Sequence, residues 1–288
     1  MNPEIIRKYT NEASRFMVIK DRMVHYRVEG NGKPLLLLHG AFSSLHTYDG
    51  WTSELKDKFQ VIRLDMPGFG LSDTPTEETY TIEYFLEFIR EFLARLEVDA
   101  CFMGGSSLGG WMAWEFALRY PERVNRLILI GSAGFMDDKS IPLPFKMART
   151  PLFKNVVRLA IRRGMFDTFL KQVYSDEEKI TPELADRYFD LFTREGNPKA
   201  FIRMVNSKFK DNTRKLPHIY QPTLILWGKD DNWLPLENAY RFHHALPNSE
   251  LIIYEGLGHI PMEEDPYLTA LDAWAFLSRP ENLLFRAS

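Results

Sequence analysis

Short apolar runs without a helical stripe recur along the chain and predict buried strands. These runs are Pro34–Leu38, Val61–Asp65, Val98–Met103, Arg126–Gly131, Pro222–Gly228 and Leu251–Tyr254. Before them, Phe16–Ile19 and Met23–Val28 alternate in polarity and predict an opening hairpin. Apolar positions recur at helical spacing in Thr81–Leu96 and predict a helix, and Pro266–Leu277 predicts a closing amphipathic helix. The apolar residues from Trp111 to Leu118 predict a largely buried helix that ends at Tyr120-Pro121. Strands alternating with helices predict an α/β fold with a doubly wound, mostly parallel sheet.

The alternation fails between Gly134 and Gln221. This stretch has helical patches rich in Phe, Leu and Met, and it contains no convincing strand. We interpret residues 136–221 as a helical cap, inserted into a core domain formed by residues 1–135 and 222–288. Such an insertion is expected over the carboxyl edge of the sheet, where doubly wound folds place their ligands.

Composition narrows the class of protein further. A chain of 288 residues with 45% apolar side chains suits one large α/β domain that carries an insertion. The net charge of −3 gives no reason to expect a nucleic acid partner. The single cysteine, Cys101, cannot form an internal disulfide, and no apolar run reaches the length of a membrane span. We therefore expect a soluble, cytoplasmic protein, and nothing in the sequence indicates a cofactor or a metal.

The run Gly105-Ser106-Ser107-Leu108-Gly109 joins a predicted strand directly to a predicted helix. A strand that turns into a helix through G-x-S-x-G is a nucleophile elbow, whose tight turn needs small residues on both sides of the serine. Ser107 has a glycine two positions before it and another two positions after it. With Ser106 as the nucleophile, Leu108 would fall where the packing needs glycine. We therefore predict Ser107 as the nucleophile.

A serine nucleophile needs a base, and the base needs a carboxylate that orients it. Among the seven histidines, His259 stands out because it lies in a glycine-containing loop directly after the last predicted strand. The loop after the preceding strand offers Asp230 and Asp231 side by side, and spacing alone does not choose between them. The chain order serine, aspartate, histidine differs from that of chymotrypsin-like and subtilisin-like proteases.

These motifs resemble the α/β-hydrolases with a helical cap, over the stretch from about Leu35 to Pro266. The matching segments are His39-Gly40, Asp65–Gly70, the elbow, Trp227–Asp231 and Gly258-His259 with Pro261 and Glu264. The resemblance implies that the acid is Asp231, which lies three residues after Gly228 and four before Pro235. It also implies an oxyanion hole made by the backbone N–H groups of Ala41 and Leu108, with Phe42 as the second choice to Ala41.

Serine at the elbow narrows the reaction class within this resemblance. An aspartate there would open epoxides or displace halides, whereas a serine would form an ether that water does not cleave. We expect a serine hydrolase acting on carboxylic esters of small to medium apolar acyl groups. Two alternatives stay open: a carbon–carbon bond hydrolase of aromatic ring-cleavage products, and a ligand-binding receptor of the same fold with vestigial turnover.

Candidate residues for the substrate pocket are aromatic or aliphatic. They are Phe42, Trp233 and Ile260 from the core, and Phe145, Phe153 and Phe166 from the cap. The cap is also basic, with 17 Lys and Arg against 11 Asp and Glu between residues 136 and 221. Lys154, Arg158 and Arg162 stand four residues apart on one predicted helix face. That face is expected either to be solvated or to make weak contact with an anionic surface.

Overall fold

The described residues of the computed structural model are 3–75, 80–135, 143–150, 161–207 and 210–280. They form one eight-stranded sheet with the strand order β1-β2-β4-β3-β5-β6-β7-β8. In chain order the strands are β1 (Ser14–Ile19), β2 (Arg22–Glu29), β3 (Lys33–Leu38), β4 (Phe59–Leu64), β5 (Cys101–Ser106), β6 (Val124–Ile130), β7 (Thr223–Gly228) and β8 (Ser249–Tyr254). β2 runs antiparallel to β1 and β4, and all other neighbours are parallel. The expected doubly wound, mostly parallel sheet is confirmed.

Helices surround this sheet and follow its strands along the chain. They are α1 (Pro3–Tyr9), α2 (Asp49–Leu55), α3 (Ile82–Arg95), α4 (Leu108–Arg119), α5 (Leu143–Ala148), α6 (Arg163–Val173), α7 (Pro182–Thr193), α8 (Asn197–Val205), α9 (Glu237–Ala245), α10 (Pro261–Glu264) and α11 (Pro266–Leu277). A short 3₁₀ helix, Leu45–Tyr48, precedes α2. Within the described ranges, no helix is long and apolar enough to cross a membrane.

The pattern of side chains explains why these elements form. Leu35 to Leu38 of β3 are fully buried because β3 lies inside the sheet, between β4 and β5. Thr81 caps α3 by accepting a hydrogen bond from the N–H group of Tyr84. β5 begins at Cys101, three residues later than predicted. The reason is that the Val98 N–H group donates to the carbonyl of Leu93 and so closes the turn after α3.

The last helix, α11, has the predicted bounds but is not clearly amphipathic. Its buried side includes Ala270 and Ala273, and its other side exposes Tyr267, Leu271 and Trp274. Both sides are therefore apolar. Exposed apolar side chains are common on folded proteins, so the polarity of the side chains does not show which side of α11 faces solvent.

The stretch between β6 and β7 carries helices α5 to α8, and its described residues contain no strand. Where the insertion begins and ends stays a prediction. Phe153, Lys154 and Arg158 lie outside the described residues, so the predicted basic face is not described as a whole. Arg162 is exposed and directly precedes α6.

The loops that carry the predicted site residues leave the carboxyl ends of β3, β5, β7 and β8. The chain continues from β3 to β4 on one side, whereas β5 pairs with β3 on the other side. Crevices form where the order of strands reverses in this way, and ligands bind there in doubly wound sheets. The fold therefore brings the predicted residues to the carboxyl edge of the sheet, beside the crevice between β3 and β5.

Candidate active site

Ser107 occupies a strained turn between β5 and α4. Its backbone has φ 54° and ψ −116°, a conformation that side chains with a Cβ rarely adopt. Hydrogen bonds on both sides hold it there. The N–H group of Ser107 donates to the Ile130 carbonyl, and its own carbonyl accepts from the N–H groups of Trp111 and Ala133. Strain of this kind persists where the surroundings fix it, and it is concentrated at functional sites.

The two glycines of the elbow are required by close contacts. A Cβ atom on Gly105 would lie 2.2 Å from the carbonyl oxygen of Gly109, and one on Gly109 would lie 2.1 Å from that of Leu38. Among the two neighbouring serines, the structure gives the positive φ angle to Ser107. Ser106 is the last residue of β5. The geometry therefore agrees with the steric argument that distinguishes Ser107 from Ser106.

His259 and Asp231 meet beside Ser107. The Nδ1 atom of His259 lies 2.8 Å from Oδ2 of Asp231, and both side chains are buried. Gly131, with φ 46°, leaves room for this pair, because a Cβ there would approach His259 Nδ1 to 3.3 Å. The Nε2 atom of His259 is buried and has no hydrogen-bond partner among the described residues. Its hydrogen bond to Ser107 is thus not formed in this arrangement, as is common without substrate.

The two adjacent aspartates have different surroundings. Oδ1 of Asp231 accepts hydrogen bonds from the N–H groups of Trp233 and Leu234, which aims its other oxygen at His259. Asp230 is exposed and accepts from the hydroxyl of Ser175 at 2.9 Å. The structure therefore brings Asp231 to His259 and places Asp230 on the protein surface.

The predicted oxyanion donors flank Ser107. Leu108 is the first residue of α4, where helix N–H groups have no partner within the helix. Ala41 lines the same cavity as Ser107. His39 fixes the loop before it: Nδ1 bonds to the Gly40 carbonyl at 2.8 Å, and Nε2 accepts from the N–H group of Met66 at 3.0 Å. Burial lowers the pKa of His39, so its ring is neutral and suited to both bonds.

One side of the cavity is apolar. Its wall includes Phe169, Val173, Trp233, Ile260 and Met262. The volume of the cavity is about 20 Å³, which is room for about one water molecule. Two of the predicted pocket residues, Trp233 and Ile260, belong to this wall.

Behind the apolar wall lies an aromatic cluster centred on Phe42. Its ring centre is 4.4 Å from that of Phe201 and 5.3 Å from that of Phe169. Phe42 has φ 64° and contacts Trp233 and Phe145 as well. It packs around the cavity without lining it directly. Phe166 also belongs to this cluster, through contacts with Phe169 and Phe192.

The lining of the cavity also carries hydroxyl groups. We call this the hydroxyl wall, and it comprises Ser43, Thr47, Ser106 and Tyr188. Glu263 accepts hydrogen bonds from Thr47 Oγ1 at 2.6 Å and from Tyr188 OH at 2.7 Å. Sequence reasoning missed this wall. Its members come from three separate segments, the loop after β3, the end of β5 and helix α7, and no local pattern marks Tyr188.

A charged pair stands behind the hydroxyl wall. The Arg187 guanidinium donates to Oε1 of Glu263. Burial disfavours the charge of Arg187, but Glu263, with smaller contributions from Tyr188, Asp49 and Tyr174, outweighs burial and raises the pKa of Arg187 above its ordinary value. Burial, followed by the carboxylate of Glu263, raises the pKa of Tyr188. Arg187 thus remains a cation and Tyr188 a neutral hydroxyl.

Asp65, which directly follows β4, is a structural anchor. It accepts hydrogen bonds from the N–H groups of Leu45 and Leu71 and bonds to Nδ1 of His25 at 2.8 Å. Burial opposes its charge, but the hydrogen bond to His25 and the nearby rings of His25, His46 and His39 keep the pKa of Asp65 below its ordinary value. In the part of the chain that the structure describes, no group of three or more His, Cys, Asp or Glu residues could hold a metal ion.

Comparisons with known proteins agree with this architecture. Residues 33–266 match the family described as alpha/beta hydrolase fold. The chain is 30% identical over 246 residues to the uncharacterized hydrolase YugF of Bacillus subtilis, covering 85% of this chain and 89% of the relative. It is 29% identical over 240 residues to the 2-hydroxy-6-oxo-2,4-heptadienoate hydrolase of Pseudomonas putida, covering 80% of this chain and 83% of that one.

A solved structure is also similar over nearly the whole chain. It is the crystal structure of a membrane phospholipase A, described as a bacterial virulence factor. Its TM-score is 0.80 at 26% identity, and the match covers 95% of this chain and 87% of that chain. The match therefore extends over helices between β6 and β7 as well as over the sheet.

Proposed function

The chain belongs to the α/β-hydrolase fold family, and we propose from this that it is a serine hydrolase. In the proposed reaction it cleaves carboxylic esters of small to medium apolar acyl groups through an acyl-serine intermediate. The observation that carries the proposal is the arrangement at one cavity: a strained Ser107 beside His259, which is bonded to Asp231 at 2.8 Å.

Each of these residues has a role in the proposed reaction. His259 takes the proton of Ser107 through Nε2 as the Ser107 oxygen attacks the ester carbonyl, and then returns it to the leaving alcohol. The acyl group remains on Ser107 until water, activated by the same histidine, releases it as a carboxylic acid. Asp231 holds the proton on Nδ1 and stabilises the charged ring. Nε2 is available to accept the Ser107 proton, since it has no hydrogen-bond partner within the described residues.

The negative charge on the carbonyl oxygen also needs stabilisation in this reaction. We assign this role to the backbone N–H groups of Ala41 and Leu108. The N–H group of Leu108 opens α4, so the helix dipole adds to its effect. Each such donor contributes about 2.7–4 kcal/mol to stabilising the transition state.

The lining of the cavity supports an uncharged substrate. Among its described residues, none is Lys, Arg, Asp or Glu. The nearby cation, Arg187, is bound to Glu263 and is therefore compensated. Burying an unpaired ion costs far more than burying an apolar group. Neutral esters with an apolar acyl group fit this cavity better than anions do.

A second candidate activity comes from the relatives. Several of them are named as hydrolases of dienoates, including 2-hydroxy-6-oxo-6-phenylhexa-2,4-dienoate. Carbon–carbon bond hydrolysis of ring-cleavage products is therefore the alternative for this chain. The substrates named there are carboxylates. Arg187 is already paired with Glu263, so its charge is not available to bind a substrate carboxylate.

A substrate panel tests these candidates against each other. Purified protein would be assayed with p-nitrophenyl esters from acetate to decanoate and with 2-hydroxy-6-oxo-6-phenylhexa-2,4-dienoate. We expect kcat/KM for the best ester to exceed that for the dienoate at least tenfold, and Ser107→Ala to abolish both activities. Faster cleavage of the dienoate would support the alternative. Ligand-dependent stabilisation without turnover of any substrate would instead support a receptor.

A further inference from the structure

Two hydroxyl groups of the hydroxyl wall donate their hydrogen bonds to Glu263, which determines what the wall can offer to a ligand. Thr47 Oγ1 and Tyr188 OH both donate to Oε2 of Glu263, at 2.6 and 2.7 Å. An ionised carboxylate only accepts hydrogen bonds, and each hydroxyl has a single proton to donate. The same carboxylate also accepts from the Arg187 guanidinium, with which it forms an ion pair. Thr47 and Tyr188 therefore have no proton left to donate to a ligand in the cavity, and Tyr188 also accepts a hydrogen bond from the Ser43 hydroxyl. Thr47 is the member of this pair whose oxygen is left to accept from a ligand.

Ser106 supplies the complementary group. Its side chain is buried, with 1% of the residue exposed, and its Oγ atom has no hydrogen-bond partner within the described residues. Buried hydroxyls without a partner are uncommon in folded proteins, because burial without a hydrogen bond is unfavourable. Ser106 lines the cavity next to Ser107. Its hydroxyl is thus available to a bound molecule, as donor or as acceptor.

Building on the proposed ester hydrolysis, we infer that the hydroxyl wall is a subsite for an alcohol group of the substrate. A substrate hydroxyl donates to the oxygen of Thr47 and accepts from Ser106, so that the substrate hydroxyl and the buried Ser106 Oγ both have a partner. A carboxylate or a ketone, which only accepts, finds no donor at Thr47 and is disfavoured. The preferred substrates are then hydroxy esters, with an apolar part against Phe169 and Trp233.

Two pairs of isosteric esters test this subsite. In the first pair, 2-hydroxyethyl hexanoate and propyl hexanoate differ by OH in place of CH₃ in the alcohol. In the second pair, propyl 3-hydroxybutanoate and propyl 3-methylbutanoate differ in the same way in the acid. We expect kcat/KM to favour the hydroxy ester about tenfold in one pair, which also identifies the side of the ester bond that faces the wall. Ratios near or below one in both pairs would overturn the inference.

Variants of the hydroxyl wall show which side chains cause the preference for hydroxy esters. Ser106→Ala breaks no hydrogen bond of the free protein, so we expect an unchanged or higher Tm together with a preference reduced at least threefold. Thr47→Val removes a hydroxyl that is bonded to Glu263 and should reduce the preference as well. The control is Ser132→Ala, since Ser132 is buried outside the cavity and bonds to a carbonyl at 3.0 Å. A preference that survives in both wall variants would contradict the subsite.

Binding separates failure of the subsite from failure of the proposed reaction. Ser107→Ala lacks the nucleophile, and the Kd of each ester for this variant is measured by quenching of tryptophan fluorescence. A lower Kd for the hydroxy ester supports the subsite even if wild-type protein hydrolyses neither ester, in which case only the hydrolase proposal fails. Equal Kd values within both pairs, with normal turnover by wild-type protein, would refute the subsite alone.

Discussion

Glu264 connects the loop of His259 to the end of α6, and its substitution is predicted to affect both stability and turnover. One carboxylate oxygen accepts hydrogen bonds from the N–H groups of Ser175 and Asp176, at 2.9 and 2.8 Å. The other accepts from the N–H group of Gly258 at 2.8 Å. The residue is 4% exposed, so water does not readily replace these bonds.

The size of the effect follows from these three bonds. A hydrogen bond to a charged group contributes about 1.5–3 kcal/mol, and an unsatisfied buried donor costs about 1–3 kcal/mol. In Glu264→Gln, one oxygen becomes an NH₂ group, which cannot accept. At least one of the three N–H groups then loses its partner and the charge disappears. We expect the free energy of unfolding to fall by about 2–4 kcal/mol, and by more in Glu264→Ala.

Turnover should fall as well, because Gly258 directly precedes His259. A displacement of about 1 Å at a catalytic group can reduce the rate about a hundredfold. We expect kcat of Glu264→Gln to fall tenfold to a hundredfold, with a smaller change in KM. Urea unfolding gives the stability, and ester turnover at a temperature where all variants are folded gives the kinetics.

The control is Glu255→Gln, whose side chain is 76% exposed and paired with Lys229 on the surface. This substitution should change neither stability nor kcat beyond the error of the measurement. If Glu264→Gln behaved like this control, the proposed connection between the histidine loop and the insertion would be wrong.

Three further predictions concern other parts of the structure. Asp231→Asn should lower kcat by about three to four orders of magnitude, whereas Asp230→Asn should change it less than threefold, as steady-state kinetics would show. Burial lowers the pKa of His46 to about 4 in the folded protein, so protonation of this ring favours unfolding. About 3 kcal/mol of the free energy of unfolding present above pH 6.5 is therefore lost as the pH falls towards 4. Urea unfolding should show this loss, and the loss should be smaller in His46→Gln. Phe201→Ala should shift the preference of p-nitrophenyl esters towards longer acyl chains, at a stability cost of about 3–5 kcal/mol.

The fold and the elbow could be predicted because their signals are local. An apolar run such as Leu35–Leu38 has few alternatives to a buried strand. The spacing of Gly105 and Gly109 around Ser107 follows from backbone contacts of 2.1 and 2.2 Å, which any larger residue would prevent. A steric requirement of this kind leaves a fixed pattern in the sequence.

The rest of the site could not be predicted because it depends on contacts between distant segments. Tyr188 and Glu263 are 75 residues apart, and only folding brings their oxygen atoms to 2.7 Å. The choice between Asp230 and Asp231 likewise depended on family spacing, since adjacent residues have the same local sequence. The order of the strands across the sheet is also a property of the whole chain.

The central claim is that Ser107 is the nucleophile of a hydrolase. The most direct test is labelling with a fluorophosphonate, followed by intact mass measurement and peptide mapping. We predict one equivalent of label, located on Ser107 in wild-type protein and in Ser106→Ala, and no label in Ser107→Ala. Labelling of Ser107→Ala at Ser106, or failure of the folded wild-type protein to react, would contradict the account.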